Sequence, residues 1–166
     1  MENTTLPETA QRVADLLAQM GHDKLVVMLP ATGKTSAEAA AGLGCSVAEI
    51  AKAIVFRRLS DDAAVMVMAS GSNRVDEAKV SAIVGALGKA DARFVKERIG
   101  YAIGGVCPIG HLTKTVMLID QDLLALDSVW AAAGHPHAVF NLTPRQLVAM
   151  TNAPVADVAC VVNAAS

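Results

Sequence analysis

A segment of twelve residues from Gly100 to His111 constrains the fold of this chain most, because it interrupts two apolar, strand-like runs. It contains four glycines and Pro108. Glycine destabilises the interior of helices and strands, and proline removes a backbone donor, so this segment is predicted to be a loop. Glycine-rich loops expose N–H groups that can hold a carboxylate, a phosphate or a reacting carbonyl. From these residues alone, a binding loop and an ordinary turn between strands both remain open.

The composition predicts one globular domain, residues 1–166, with an aliphatic core. The chain has 166 residues, of which 53% are hydrophobic and only 3% aromatic. A chain of this length can bury a core without disulfides or metal ions. The formal net charge of −2 excludes a general attraction to nucleic acid, so we expect no DNA binding. RNA binding would require a local basic patch.

The cysteines and the N-terminal residues predict a cytoplasmic protein. Cys45, Cys107 and Cys160 form an odd, widely spaced set without the pattern of a disulfide framework, which is typical of a reducing compartment. The segment from Met1 to Thr5 lacks the basic and apolar regions of a secretory signal. No apolar run reaches about eighteen residues, so we expect no membrane association.

Apolar periodicity and capping signals predict a mixture of helices and strands. Capping boxes at Thr35, Ser46 and Thr143, each with Glu or Gln three residues later, mark the starts of helices. The predicted helices span 7–20, 35–44, 46–51, 76–87 and 143–151. The predicted strands span 24–29, 53–59, 64–69, 93–95, 115–120, 128–133 and 138–142, with a helical turn at 120–124 and a last apolar segment at 154–162.

The order of these elements predicts the fold class. Strands 53–59 and 64–69 are expected to form an antiparallel hairpin, because Ser60, Asp61 and Asp62 between them are typical turn residues. The remaining helices and strands do not alternate strictly along the chain. We therefore expect a single α+β domain with a mixed sheet.

Lys52 is the first candidate for chemistry, because it lies among apolar neighbours at the junction between a predicted helix and a predicted strand. Most lysines are solvated and carry no function. A lysine in such a setting can instead direct its ammonium group towards a phosphate or an oxyanion in a cleft. Both interpretations remain open from the residue itself.

Cysteine and histidine side chains are the other candidates. Cys107 is either a thiolate nucleophile or a small apolar residue that fills space, and no cysteine-centred catalytic motif surrounds it. His111, His135 and His137 could form a zinc site, although a single histidine lining a pocket is the alternative. The chain contains no nucleophile elbow, P-loop or dinucleotide-binding fingerprint.

Several motifs in order resemble one known family, the YbaK/prolyl-tRNA-synthetase-associated domain. The resemblance covers residues 30–153, most of the chain. Its glycine loop, from Tyr101 to Gly110, includes the Gly-x-x-x-Pro motif from Gly104 to Pro108, and the specificity of the resemblance comes from the order and spacing of all the segments together. The other matching segments are Thr35 to Ala40, Gly44, Ile50 to Phe56, Val75-Asp76, Lys79-Val80, Ile119-Asp120, Leu123, Ala133-Gly134, Leu142 to Pro144 and Leu147.

The resemblance implies an editing enzyme. In that family a curved, barrel-like mixed sheet, surrounded by helices, encloses a small pocket. Its members hydrolyse mischarged aminoacyl-tRNA, chiefly tRNA for proline carrying alanine or another small amino acid. They use no metal or cofactor, and the substrate's own ribose hydroxyl assists the attacking water. Prolyl-tRNA synthetase or an elongation factor would be transient partners. A catalytically silent module that binds tRNA or a synthetase is the alternative.

The resemblance also implies roles for individual residues. Lys52 would hold the terminal adenosine and its phosphate, and Gly104 and Gly105 would hold the ester carbonyl. Cys107 occupies a loop position where relatives often carry Ser or Thr. The substrate-binding set is Ile50, Val106, Cys107, Pro108, Asp120 and His137. A basic patch for tRNA is expected from Lys34, Arg57, Arg58, Arg74 and Lys79.

Overall fold

Eight strands form one mixed sheet in the computed structural model, which describes residues 6–29 and 35–161. The strands are β1 Val27–Met28, β2 Ile50–Arg58, β3 Ala64–Ser70, β4 Leu87–Lys89, β5 Val116–Asp120, β6 Val129–Ala132, β7 Ala138–Leu142 and β8 Val155–Ala156. The α-helices are α1 Glu8–Gln19, α2 Ser36–Leu43, α3 Glu77–Val84, α4 Ala92–Arg98 and α5 Pro144–Thr151, with 3₁₀ turns at Val47–Glu49 and Gln121–Ala125.

The sheet mixes antiparallel and parallel pairs. Its strands follow the order β1-β7-β6-β2-β3-β5-β8, and β4 pairs with β2 outside this path. β2 and β3 form the predicted antiparallel hairpin, whereas β6 pairs parallel with β2 and β5 pairs parallel with β3. The predicted α+β fold with a mixed sheet is therefore confirmed.

The central strand β3 is buried on both faces. Met66 and Met68 pack on one face, in a main core that also includes residues of α1, α4 and α5. Val65 and Val67 point to the opposite face, where they pack with Val80 of α3. Successive side chains of a strand alternate between its faces, and both faces of β3 are buried. The sequence of β3 is therefore a continuous apolar run instead of an alternating one.

Local capping determines the starts of several helices as predicted. The backbone N–H of Gln146 donates to Thr143 Oγ1 over 3.1 Å, and the N–H of Thr143 donates to Gln146 Oε1 over 2.8 Å. The N–H of Ser46 likewise donates to Glu49 Oε1 over 2.9 Å. Each side chain satisfies an amide group that the helix itself leaves without a partner.

One predicted strand and the predicted end of one helix are wrong for identifiable reasons. Residues 93–95 do not form a strand but lie within α4, which starts where Asp91 accepts a hydrogen bond of 2.8 Å from the Phe94 N–H. The helix predicted over 76–87 ends at Val84, because Gly85 follows with a φ of 107°. The next residues, Leu87–Lys89, then pair with the end of β2 as β4.

Two further segments differ in extent from the prediction. The expected strand over 24–29 is reduced to β1, and β2 begins at Ile50 instead of residue 53. Lys52 therefore lies inside a strand and not at a junction between helix and strand. No helix in the described ranges is long and apolar enough to cross a lipid bilayer.

Candidate active site

A gap in the sheet forms the floor of a cleft of about 360 Å³. One edge of β2 pairs with β3 from Ala51 to Arg57. The opposite edge pairs with β6 only at Ile50 and Ala51, and with β4 only from Phe56 onwards. The sheet therefore splits between β6 and β4, and the cleft occupies the start of this split. Its volume is within the usual range for small-molecule sites.

Four parts of the chain surround this floor. The first turn of α2 forms one wall, and β6 with the start of β7 forms another. The glycine-rich loop and the turn between β6 and β7 close the cleft. Besides residues 50–54, the lining residues are Thr35, Ser36, Ala39, Ile103, Gly104, Val106, Trp130, Ala131, Ala132, Pro136, Ala138 and Val139.

Lys52 lies in this cleft with most of its donor capacity available. Its Nζ donates to the main-chain carbonyl of Asn73 over 2.5 Å. No described carboxylate forms an ion pair with it. An ammonium group has three N–H donors, so two remain for a ligand. Its positive charge is likewise not neutralised by the described residues, which suits it to a phosphate.

Asn73 is held in turn by two carboxylates. Its Nδ2 donates to Asp120 over 2.8 Å and to Asp122 over 2.7 Å. Asp120 is fully buried and also accepts the N–H of Ser70 over 3.1 Å. The sequence-based prediction includes Asp120 among the substrate-binding residues. Asp120 does not line the cleft; its carboxylate instead holds the side chain of Asn73, whose carbonyl accepts from the Lys52 ammonium group. Sequence reasoning missed Asn73, whose position after a strand indicated only a turn.

The glycine-rich loop approaches the turn between β6 and β7 too closely for larger residues. A Cβ on Gly105 would lie 2.7 Å from the backbone of His135, and Gly104 has a φ of 96°. The N–H of Gly105 is used within the loop, where it donates to the Ala102 carbonyl over 3.0 Å. The N–H groups of Gly104 and Val106 have no acceptor among the described residues. These are available donors beside the cleft.

Side chains behind the loop hold its carbonyl groups. Tyr101 donates its hydroxyl to the carbonyl of Ile109 over 2.7 Å. His111 Nε2 lies 2.7 Å from the carbonyl of Cys107, which assigns the ring proton to Nε2 because a carbonyl only accepts. Burial lowers the pKa of His111 below its ordinary value, which favours this neutral ring. Arg12 donates to the carbonyl of Gly110.

Cys107 packs in the main core and is not among the residues that line the cleft. Its side chain is fully buried, as expected of a small apolar residue that fills space. Burial raises the pKa of its thiol to about 12. A thiol with so high a pKa forms almost no thiolate near neutral pH, and the thiolate is the nucleophilic form.

The other predicted substrate residues divide between the cleft and its surroundings. Ile50 and Val106 line the cleft. Pro108 lines a separate hollow, with His111, on another side of the loop. His137 is half-buried, and its N–H donates to His135 Nδ1 over 3.1 Å, although neither histidine lines the cleft. No three His, Cys, Asp or Glu residues in the described ranges are grouped so that they could hold a metal ion.

The candidate basic residues that the structure describes have different surroundings, and none of them lines the cleft. Arg57 pairs with Asp62 over 2.8 Å and lies five positions along β2 from Lys52, roughly 17 Å at about 3.3 Å per residue. Arg58 pairs with Asp61 over 2.8 Å, and Lys79 pairs with Asp157 over 3.0 Å. Arg74 is exposed and follows Asn73 directly, whereas Lys34 is outside the described residues.

Known proteins are similar to this chain in sequence and in fold. Residues 30–150 match the model of the aminoacyl-tRNA editing domain. The uncharacterized protein YwhH of Bacillus subtilis (strain 168) is 28% identical over 130 residues, which are 78% of this chain and 82% of that protein.

Two solved structures are also similar. One is described as a proposed trans-editing enzyme for prolyl tRNA synthetase; it is 41% identical with a TM-score of 0.89, and the match covers 95% of this chain and all of that chain. The other, hypothetical protein APE2540, is 30% identical with a TM-score of 0.80, and the match covers 90% of this chain and 99% of that one. Because the family model spans most of the chain and the glycine-rich loop it includes closes the cleft, the chain belongs to the aminoacyl-tRNA editing domain family.

Proposed function

We propose that this protein is a free-standing aminoacyl-tRNA deacylase, which removes a small amino acid from mischarged tRNA, tRNA for proline above all. The observation that carries this proposal is the position of Lys52 in a cleft whose loop residues Gly104 and Val106 have N–H groups without acceptors in the part of the chain that the structure describes. An ammonium group that shares a cleft with amide donors suits a ligand with a phosphate next to an ester.

In the proposed reaction, water attacks the carbonyl carbon of the aminoacyl ester. The oxygen of that carbonyl gains negative charge, which the amide groups of the glycine-rich loop stabilise. The tetrahedral species then breaks the bond to the ribose oxygen, which takes up a proton, so the products are the free amino acid and uncharged tRNA. The neighbouring ribose hydroxyl of the substrate assists the water, because an activated ester requires positioning more than a side-chain nucleophile.

The proposal assigns the remaining site residues to binding. Lys52 would hold the terminal adenosine and its phosphate. Ile50, Val106, Pro108 and His137 would bound the amino-acid pocket directly or through the loop, and the buried Asp120 would order the segment that carries Asn73. The burial of the Cys107 side chain restricts that residue to a contribution through its backbone.

The proposed partners follow from the substrate. Mischarged tRNA leaves prolyl-tRNA synthetase and is captured by an elongation factor, so transient contact with either protein would deliver the substrate. This reaction takes place where translation occurs, and we therefore expect the protein in the cytoplasm. A salt-sensitive contact through Arg74 would support the tRNA near the cleft.

One assay tests the proposal. In this assay, tRNA for proline charged with alanine, serine or cysteine is incubated with the wild-type chain and, separately, with Lys52→Ala. The aminoacyl ester that remains is measured over time. Lys96→Ala is the matched control, because Lys96 is an exposed lysine of α4 that does not line the cleft. Hydrolysis by the wild type and the control, but not by Lys52→Ala, supports the proposal. Tight binding of charged tRNA without any hydrolysis would favour the silent binding module instead.

A further inference from the structure

Successive residues of β2 direct their backbone N–H and carbonyl groups alternately towards the two edges of the strand. Two hydrogen bonds at the ends of its pairing with β3 show which residues direct these groups towards β3. Gly71 donates its N–H to the carbonyl of Ile50 over 2.7 Å, and Arg58 donates its N–H to the carbonyl of Ala63 over 2.9 Å. In an antiparallel pair, every second residue exchanges hydrogen bonds with its partner. The even-numbered residues of β2 therefore direct their N–H and carbonyl groups towards β3.

The odd-numbered residues point to the opposite edge, where the sheet splits. Ala51 meets β6 there, and Arg57 meets Gly88 of β4. Ala53 and Val55 lie between these two partners, and none of the described strands pairs with them on this edge. Ala53 lines the cleft, whereas Val55 does not. The cleft therefore contains one N–H and one carbonyl of Ala53 without a partner among the described residues.

An unpaired strand residue in a cleft is a specific recognition element. Its N–H donates and its carbonyl accepts on the same edge, and peptide ligands pair with open edges in this way. One residue of a paired strand offers the complementary groups, an amide N–H donor and a carbonyl acceptor separated by a single carbon. An aminoacyl group has the same arrangement, with its α-ammonium group and its ester carbonyl.

The lining of the cleft favours a backbone acceptor. The described residues that line it include no Asp or Glu that could bind an α-ammonium group. Thr35 and Ser36 provide hydroxyl groups, but Thr35 Oγ1 already accepts the N–H of Glu38 over 3.1 Å. A bound cation without an acceptor would lose its hydration without compensation. The carbonyl of Ala53 can supply that compensation.

We propose that the open edge of β2 at Ala53 binds the aminoacyl group of the substrate as if it were one residue of an added strand. The carbonyl of Ala53 accepts a hydrogen bond from the α-ammonium group. The N–H of Ala53 donates to the ester carbonyl and adds a donor to those of the glycine-rich loop. This inference rests on the proposed function and assigns the recognition of the amino acid's main-chain atoms to the protein's own backbone.

Backbone substitution tests the inference directly. Replacing Ala53 by lactic acid changes its N–H to an ester oxygen and leaves the side chain intact. The matched control replaces Val55 by 2-hydroxyisovaleric acid, which removes the next N–H on the same edge and weakens one carbonyl of the ladder in the same way. We expect kcat/KM for alanyl-tRNA to fall about tenfold or more in the first variant and to stay within about twofold in the second. Equal losses in both variants would overturn the inference.

A second experiment uses the unmodified protein. Two non-hydrolysable analogues, adenosine with a 3′-linked L-alanyl amide and adenosine with a 3′-linked L-lactyl amide, differ only in an α-ammonium or α-hydroxyl group. We expect the lactyl analogue to bind about tenfold more weakly, because a charge-assisted hydrogen bond to the Ala53 carbonyl is lost. Equal affinities would overturn the assignment while leaving hydrolysis of alanyl-tRNA intact. Absence of hydrolysis with every aminoacyl-tRNA would instead overturn the proposed function and this inference with it.

Discussion

The ammonium group of Lys52 donates a hydrogen bond of 2.5 Å to the main-chain carbonyl of Asn73, and the side chain of Asn73 donates one of 2.8 Å to the buried Asp120. A flexible lysine side chain is thereby held in one place at the edge of the cleft. Holding the ammonium in advance lowers the entropy lost when a ligand binds, because fewer rotamers remain to be fixed.

Lys52→Ala is expected to abolish deacylation while the fold survives. The substitution removes a charge-assisted contact to the substrate, which costs on the order of 2–3 kcal/mol of binding free energy, or more when the contact is buried. Measured rates of ester hydrolysis should fall to background, and circular dichroism should match the wild type. Near-normal turnover would contradict the assignment of Lys52 to the substrate.

Asn73→Ala is expected to reduce both stability and turnover. The change leaves the buried carboxylate of Asp120 with one donor fewer, which costs about 1–3 kcal/mol of the free energy of unfolding. It also removes the side chain that holds the partner of Lys52, so kcat/KM should fall about tenfold. Thermal unfolding and deacylation assays measure the two effects.

Ser72→Ala is the control for that experiment. Ser72 is the exposed neighbour of Asn73, and among the described residues its hydroxyl forms a hydrogen bond only with Ser70 Oγ, at 3.2 Å. We expect its Tm and turnover to remain close to those of the wild type. Equal effects of the two substitutions would show that the turn as a whole matters and that the amide of Asn73 has no special part.

Cys107→Ala is expected to retain deacylation. Because burial raises the pKa of this thiol to about 12, the group stays protonated throughout the neutral range and is a poor nucleophile. Hydrolysis by the wild type should accordingly show no rise with pH that follows a thiolate titrating near its usual value of about 8.5. Loss of all activity in a variant that remains folded would instead identify Cys107 as a nucleophile.

Binding of charged tRNA is expected to weaken with added salt despite the net charge of −2. Each phosphate that a cation neutralises releases counterions, so affinity falls as salt rises. Arg74→Ala should reduce this salt dependence more than Arg57→Ala, because Arg57 is paired with Asp62 far along β2 and Arg74 is exposed next to Asn73. Binding titrations at several salt concentrations measure both slopes, and an affinity independent of salt would count against tRNA as the substrate.

Alanine is expected to be removed faster than proline, without any requirement for zinc. Val106 lines the cleft and is nearly buried, so Val106→Ala should shift the preference towards larger amino acids, by about 1–3 kcal/mol per methylene-sized change. Parallel assays with alanyl- and prolyl-tRNA, before and after treatment with a chelator, measure both properties. Equal rates on the two substrates would contradict the size limit, and activity restored by zinc would contradict the metal-free mechanism.

Much of the fold was predictable because it depends on contacts between near neighbours. The reciprocal hydrogen bonds of Thr143 and Gln146 join residues three positions apart, so the sequence displays both partners together. The hairpin of β2 and β3 follows from two apolar runs and a short polar turn. The glycine-rich loop could be predicted for the same reason, because the glycines and the proline that indicate a loop are close together in the sequence.

The sequence by itself therefore determined the helix caps, the hairpin, the loop and the presence of Lys52. Only the tertiary structure decided that Leu87–Lys89 pairs with β2, that the Cys107 side chain points into the core and that Asn73 connects Lys52 to Asp120. The tertiary structure also decided that Ala53 lies on an open edge of β2, because the extent of this edge depends on where β6 and β4, which are distant in sequence, stop pairing with β2. Such pairings are chosen by burial and hydrogen bonding across the whole sheet, which no short stretch of sequence contains.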